Sequence, residues 1–427
     1  MNIIIIFSLI LLLLIFHYID NNWISPGNLF IFYWAINIII AFLVFNKKIY
    51  FWKYEGIIWI IFCLFIFSFS STLGENILNK FKKYNYKINN NIVGITINEY
   101  ILKIILLLCF ILSLLYQILI ISYNGFSISI IFNIKELFDI NSYMKNSRYG
   151  DIETYYNRYM QILLIFQYLG PLISGFVYRG VKGKKLKFLC IIQFIPVIIS
   201  LIFSNSKLGL VASLFFFIDG YIVFCVSNNV KFKLNFFKKN FFKISLIVVC
   251  FYLLFYLSFY FRYGGNEIYN IQNRMFMYSI GHVPSFDNLF YSSKFSIFGE
   301  SFGYRTFSGV FRLFLGTLKQ KTDTSILVTD FGWTNVPTAF ISILNDFGTY
   351  GSIFFFGIMG FIVGFAYTKV RVSNHSLISI VILSTIYFFI FYSFLVSPWI
   401  YVSYIYVFVF FWIFLHINKH FEKNIEF

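Results

Sequence analysis

Polar residues in this chain fall in short clusters separated by apolar runs of about 20 residues, the length a helix needs to cross a hydrocarbon core. The pattern predicts eleven membrane helices, near 3–19, 27–45, 57–72, 98–122, 159–178, 188–203, 208–226, 244–261, 350–368, 376–394 and 398–416. A further span near 123–140 would raise the count to twelve. The expected fold is therefore all-α and polytopic, a single integral membrane domain over residues 1–427 with about 11–12 transmembrane helices. The first 19 residues lack a basic start and a small-residue cleavage site, so they predict an uncleaved first span. Neither a Pro/Gly/Ser-rich linker nor an internal repeat is visible, which counts against transporters built from duplicated bundles.

Composition supports this class: 59% of residues are hydrophobic and 12% charged, with 61 phenylalanines, which excludes an ordinary soluble domain. The formal net charge of +17 would suit nucleic acid, but the lysines sit in short loops between spans, where they set orientation. No nucleic-acid partner is expected. The five cysteines (Cys63, Cys109, Cys190, Cys225, Cys250) all lie in apolar spans without CxxC or Cys/His spacing, so they read as buried apolar residues. Segment 179–187 carries five basic residues and no acid, and 227–243 carries Lys231, Lys233, Lys238, Lys239 and Lys243. Both are expected on the cytoplasmic side, which turns 123–158 and the long segment 262–338 outward. The same count puts Lys47, Lys48 and Lys53 outside, against the rule.

Segment 262–338 is too long for a simple connector and is read as one extracytoplasmic loop that forms the active-site region. Of eight arginines against 26 lysines, four fall in it: Arg262, Arg274, Arg305 and Arg312. A guanidinium is a planar, two-pronged donor suited to carboxylate and phosphate, so this bias points to an anionic ligand at one face of the bilayer. Snorkelling to lipid headgroups is the competing explanation. Tyr304, Phe302, Phe307 and Phe311, beside Arg305 and Arg312, are suited to stacking on sugar rings, and Arg148 and Arg158 on the other outward segment are positioned to join the set. Glu267, Asn270 and Arg274 share one helical face, while Ile268, Ile271, Met275 and Tyr278 line another. His282 is the one histidine in an outward segment and a candidate general base, with Asp287 and Glu300 eligible by type.

A second constellation runs Thr334-Asn335-Val336-Pro337-Thr338, then Asn345-Asp346-Phe347-Gly348 and Gly351. Pro337 fits a first helical turn, and the helix it starts would align Thr338, Ser342 and Asn345/Asp346. Asp346 then stands near the start of a span, where an ionisable group is a functional candidate or a helix cap. The Asp-Phe-Gly tripeptide has no kinase loops beside it, and no P-loop, HExxH, GxSxG or Rossmann fingerprint occurs.

At these residues the chain resembles the oligosaccharide repeat unit polymerases, the Wzy-type O-antigen and capsule polymerases. Three stretches carry the likeness: Tyr278 to Phe286 with Gly281-His-Val-Pro284; Phe298-Gly299 through Thr306-Phe307 to Arg312; and Thr334 to Thr338 followed by Asp346-Phe347-Gly348 and Gly351. Ser204-Asn-Ser206-Lys207 is a weaker match, where such polymerases often carry arginine, and Pro337 stands where they usually carry tyrosine. The resemblance implies a bundle similar to the GT-C glycosyltransferases and O-antigen ligases, in a bacterial cytoplasmic membrane, requiring neither metal nor cofactor. It implies transfer of a growing glycan from undecaprenyl diphosphate to a new lipid-linked repeat unit, with membrane lipid and a chain-length regulator protein as partners. Under it Arg262, Arg274, Arg305 and Arg312 would hold the donor diphosphate. His282 would be the base with Asp346 in reserve, and Asn335 and Thr338 would orient the sugar. The rivals are an O-antigen ligase acting on the same donor and a lipid-linked oligosaccharide flippase. Flippases need charge along a path through the membrane, whereas here charge gathers in one outward segment.

Overall fold

The structure, a computed structural model, describes residues 1–45, 50–85, 97–127, 136, 139–141, 143, 158–204, 207–230, 234–263, 268–293, 295–315, 326–329, 332–334, 336, 338–372 and 376–423. The helices run α1 Asn2–Asp20, α2 Pro26–Val44, α3 Glu55–Asn85, α4 Glu99–Tyr123, α5 Arg158–Tyr178, α6 Lys184–Ile192, α7 Ile195–Ser204 and α8 Lys207–Ser227. They continue as α9 Leu234–Tyr263, α10 Ile268–Ile280, α11 His282–Ser292, α12 Ser308–Leu315, α13 Thr338–Val372, α14 Leu377–Tyr392 and α15 Val402–Lys423. Strands β1 Ile326–Thr329 and β2 Gly332–Thr334 pair antiparallel, Ile326 opposite Thr334. Among the described residues nine helices are long and apolar enough to cross a membrane, and Val249–Tyr260 and Leu377–Tyr392 are shorter apolar helices. The chain is a multi-pass helical membrane protein. The segment expected as one long loop contains three helices and the β-ribbon.

Read from the sequence as one domain, the chain packs as two compact units. The second unit comprises Thr96–Phe224, Leu234–Met275 and Tyr406–Phe427. Its apolar helices carry a few satisfied polar side chains. The Gln117 amide donates to Gln167 at 2.7 Å, and the Gln193 amide donates to the Leu106 carbonyl at 2.9 Å. The Lys207 ammonium lies 3.9 Å from the ring centre of Phe259.

The first unit comprises Met1–Ile95, Cys225–Lys233 and Phe276–Ile405. Its backbone is the pair α3 and α13. A Cβ on Gly360 would stand 2.2 Å from the Phe67 carbonyl oxygen, and one on Gly364 2.0 Å from that of Ser71, so these glycines allow the two backbones to touch. The matched pairs ascend together, so α3 and this part of α13 run parallel. α2 runs antiparallel to α3, with Ser68 donating to the Gly27 carbonyl and Phe42 near Tyr54.

α13 is two helices rather than one. Gly348 interrupts it at φ 69°, ψ −172°. The rings of Phe340 and Phe356 lie 5.3 Å apart, whereas 16 residues of straight helix would separate them by ~24 Å. The chain therefore climbs from Thr338 to Phe347, reverses at Gly348 and descends toward Val372. An aromatic core of Phe30, Trp34, Trp59, Phe286, Phe340, Phe356 and Phe389 fills the space around this hairpin.

The opposite end of the unit is tied by polar side chains. Asn22 donates to the Tyr367 hydroxyl at 2.8 Å, Ser25 to the Asp20 carboxylate at 2.8 Å, and the Arg371 guanidinium stands 5.3 Å from the Tyr367 ring centre. Asp20 and buried Glu75 are both within electrostatic reach of Arg371.

Candidate functional site

The apex of the hairpin, Asn345 to Thr349, is clasped by the strap of residues 296–306. A helix that reverses leaves carbonyls exposed on one limb and N–H groups on the other. Here Glu300 N–H donates to the Asn345 carbonyl and Phe302 N–H to that of Asp346, both at 3.1 Å. Thr349 N–H donates to the Ser296 carbonyl at 3.2 Å. Gly299 lies flat on the apex, since a Cβ there would stand 1.9 Å from the Asp346 carbonyl oxygen. The strap turns through Phe302 at φ 45° and Gly303 at φ 92°.

Asp346 is fully buried and its carboxylate is the pin of this junction. One oxygen accepts the Ser301 hydroxyl and, at 2.9 Å, the Arg305 N–H; the other accepts the Thr306 N–H. Successive N–H groups turned toward one point make an anion site, and here the chain's own carboxylate occupies it. The Asp346 oxygens are already engaged, and they fix the backbone of Arg305. The Arg305 side chain is exposed.

Arg312 has carbonyl partners of its own. Its guanidinium donates to the Ile400 carbonyl at 2.8 Å and to the Ser308 carbonyl at 3.4 Å, bracing α12 against the short 3-10 turn Pro398–Ile400. The Ser397 hydroxyl reinforces that contact by donating to the Thr306 carbonyl at 2.7 Å. Arg312 thus holds the far end of the strap rather than standing open as a ligand fork.

Arg274 is exposed on α10, with Ile271 and Met275 buried on the face that the periodicity assigned to apolar residues. It belongs to the second unit, as does Arg262, whose backbone closes α9 and whose side chain lies outside the described residues. Asn335, Pro337, Glu267 and Arg148 lie outside the described residues, as does the Arg158 side chain. Within the first unit Arg305 and Asp346 meet at the strap, with Arg312 bracing α12 beside it, while His282 and Thr338 lie around Trp34 and Ser393.

His282 begins α11 and is fully buried between Trp34, 5.8 Å away centre to centre, and Phe394, at 5.2 Å. Neither ring nitrogen makes a hydrogen bond within the described residues. Burial drives its pKa down to about 3, with a weak offset from the Ser279 backbone that falls short of a hydrogen bond. The near-neutral base expected from sequence is not what this environment makes. The site holds a neutral imidazole of low proton affinity with two free polar edges.

Thr338 stands close by. Ala339 N–H donates to the Ser393 carbonyl at 2.8 Å, and the Ser393 hydroxyl accepts the Trp34 indole N–H at 2.9 Å, so Thr338 and His282 flank the same Trp34–Ser393 pair. Thr338 is fully buried at φ 64°, a left-handed conformation that strains a β-branched residue, and its hydroxyl meets no partner among the described residues. The Ser285 hydroxyl is likewise buried without a partner among the described residues. Each such group costs about 1–3 kcal/mol relative to a satisfied one. Thr338→Val keeps shape and strain while deleting the hydroxyl, so it should raise the unfolding temperature in detergent. A lowered temperature would mean the hydroxyl has a partner.

Asp287, eligible by residue type alone in the sequence, is a buried carboxylate. Its oxygen accepts Lys53 N–H at 2.8 Å, and the Tyr50 hydroxyl approaches it at 3.4 Å while donating more closely to the Pro284 carbonyl at 2.9 Å. Burial pushes the Asp287 pKa up, and the Lys53, Tyr54 and Gly56 N–H groups with Tyr50 pull it back. Among the described residues no group of three or more His, Cys, Asp or Glu is placed to hold a metal ion. Comparison with protein-family models, curated proteins and solved structures finds no match.

Proposed function

We propose that the chain is a membrane glycosyltransferase of the polymerase type, moving a growing glycan from a polyprenyl diphosphate onto a second lipid-linked repeat unit at the outer face of the cytoplasmic membrane. The observation that carries this reading is the exposed Arg305 guanidinium on a turn pinned by buried Asp346 at a helix break. A backbone fixed before the ligand arrives lowers the reorganisation that presenting a donor to a departing anion requires. In the transfer, an acceptor hydroxyl oxygen bonds to the anomeric carbon, and the bond from that carbon to diphosphate oxygen breaks. The electron pair leaves with the diphosphate, which the guanidinium stabilises. The acceptor proton ends on a diphosphate oxygen.

Arg305→Lys keeps the charge and loses the planar fork, so polymerisation should fall by about tenfold or more. The check is glycan length on gels at matched expression, with Arg179→Lys as the silent control. Normal long chains from Arg305→Lys would remove that residue from the mechanism. Deleting the gene should leave single repeat units. Full-length glycan retained on its lipid carrier would instead indicate a ligase, and loss of all surface repeat units a flippase.

A further inference from the structure

We infer that Lys53 is a second anion-gripping residue, presented beside Arg305 so that two cations from two pinned turns span one diphosphate; this rests on the diphosphate reading above. The first ground is a repeated construction. Asp346 is buried and fixes the backbone N–H of Arg305, leaving the Arg305 side chain exposed. Asp287 is buried and fixes the backbone N–H of Lys53, leaving the Lys53 side chain exposed. In both turns a non-glycine residue takes a left-handed conformation, Phe302 at φ 45° and Tyr54 at φ 74°. In each case a buried acid sets where a neighbouring cation emerges.

The second ground is height. Along the parallel pair, Phe67 meets Gly360 and Ser71 meets Gly364, so a residue of α3 lies level with the residue 293 positions later in α13. Carried to the start of α3, that register sets Gly56 level with Thr349, at the hairpin apex. The chain itself joins the two turns: α11 carries Asp287, and Phe290 near its end stacks 5.8 Å from Phe295, where the strap begins. Lys53 and Arg305 are therefore offered at one end of the unit.

The third ground is that lysine is badly placed here unless it binds something. Two residues ahead of a helix N-terminus, a cation faces the positive end of the helix dipole. If the segment 262–338 faces outward, Lys53 is also on the side where basic residues are disfavoured. Its ammonium rests 4.6 Å from the ring centre of exposed Tyr291, an aromatic contact that leaves its hydrogen-bond donors open to an oxyanion.

The test is thermal stabilisation of the detergent-solubilised full chain by inorganic pyrophosphate at constant ionic strength, with inorganic phosphate as a parallel titrant. Wild type should be stabilised by pyrophosphate. Lys53→Met and Arg305→Met should each weaken the apparent affinity about tenfold, as loss of a charge-assisted contact does, while Lys53→Arg restores it. Both variants should unfold at the wild-type temperature without ligand, because the side chains are exposed. No stabilisation of wild type would overturn the diphosphate reading and this inference with it. A Lys53→Met titration matching wild type, with Arg305→Met weakened, would overturn the inference alone. So would an equal dependence on Lys53 for phosphate and pyrophosphate, which would make it a headgroup contact.

Discussion

Replacing Gly348 with alanine should open the hairpin and abolish activity. At φ 69°, ψ −172° the backbone occupies a region essentially reserved for glycine. An alanine Cβ would also stand 2.4 Å from the Ile297 carbonyl oxygen and 2.7 Å from that of Ser296. These obstacles are backbone of the strap, so they cannot rotate aside. Relief requires the strap to lift, which breaks the hydrogen bonds from Thr349 to Ser296, Glu300 to Asn345 and Phe302 to Asp346. The combined cost should be about 3 kcal/mol or more. Unfolding temperature in detergent and glycan length would both report it. Gly357→Ala is the comparison, since its Cβ would meet nothing closer than the Ile66 side chain at 3.5 Å and should be tolerated. A Gly348→Ala protein with wild-type stability and long glycan would show that the break has no part in the site.

The reversal at Gly348 explains what sequence could and could not reveal. Apolar runs announce helices because backbone groups in hydrocarbon must bond within their own segment, so the spans are readable one at a time. Periodicity also sorts α10 correctly, with Ile271 and Met275 buried and Arg274 exposed. Direction is another matter. Sequence reads a helix begun at Pro337 and a separate span at 350–368, but nothing local says that the second folds back on the first. The information lies in contacts between residues far apart in the chain: Gly299 against Asp346, Ser296 against Thr349, Phe340 against Phe356. Charge suffers from the same blindness. Arg305 and Arg312 look equivalent in sequence, yet the first is exposed with its backbone N–H fixed by Asp346, while the second is half-buried and reaches carbonyls at Ile400 and Ser308. His282 looked like an outer histidine because Gly281 and Pro284 frame it as a loop. The aromatic walls that lower its proton affinity come from Trp34 and Phe394, over 100 residues away on either side.

Asp346→Asn should separate two ways in which a buried carboxylate can serve a site. As a positioning residue, Asp346 needs both oxygens to accept, one from Ser301 and Arg305, the other from Thr306. Asparagine keeps one acceptor and sets an NH2 against an N–H donor, leaving that buried donor unpaired. Since bonds to a charged acceptor contribute about 1.5–3 kcal/mol each, the expected loss is on the order of 3 kcal/mol. The unfolding temperature should fall, and Arg305, no longer fixed at its backbone, should bind pyrophosphate more weakly and support only short glycan. Had Asp346 instead been the base, removing its charge would abolish transfer without loosening the strap or the anion site. A variant that folds with wild-type stability, binds pyrophosphate normally and makes no polymer would therefore return Asp346 to the chemistry. The dense hydrogen bonding around its carboxylate argues for the first outcome, because a base must release one of its acceptors before it can take a proton, and each here closes the turn that presents the cation.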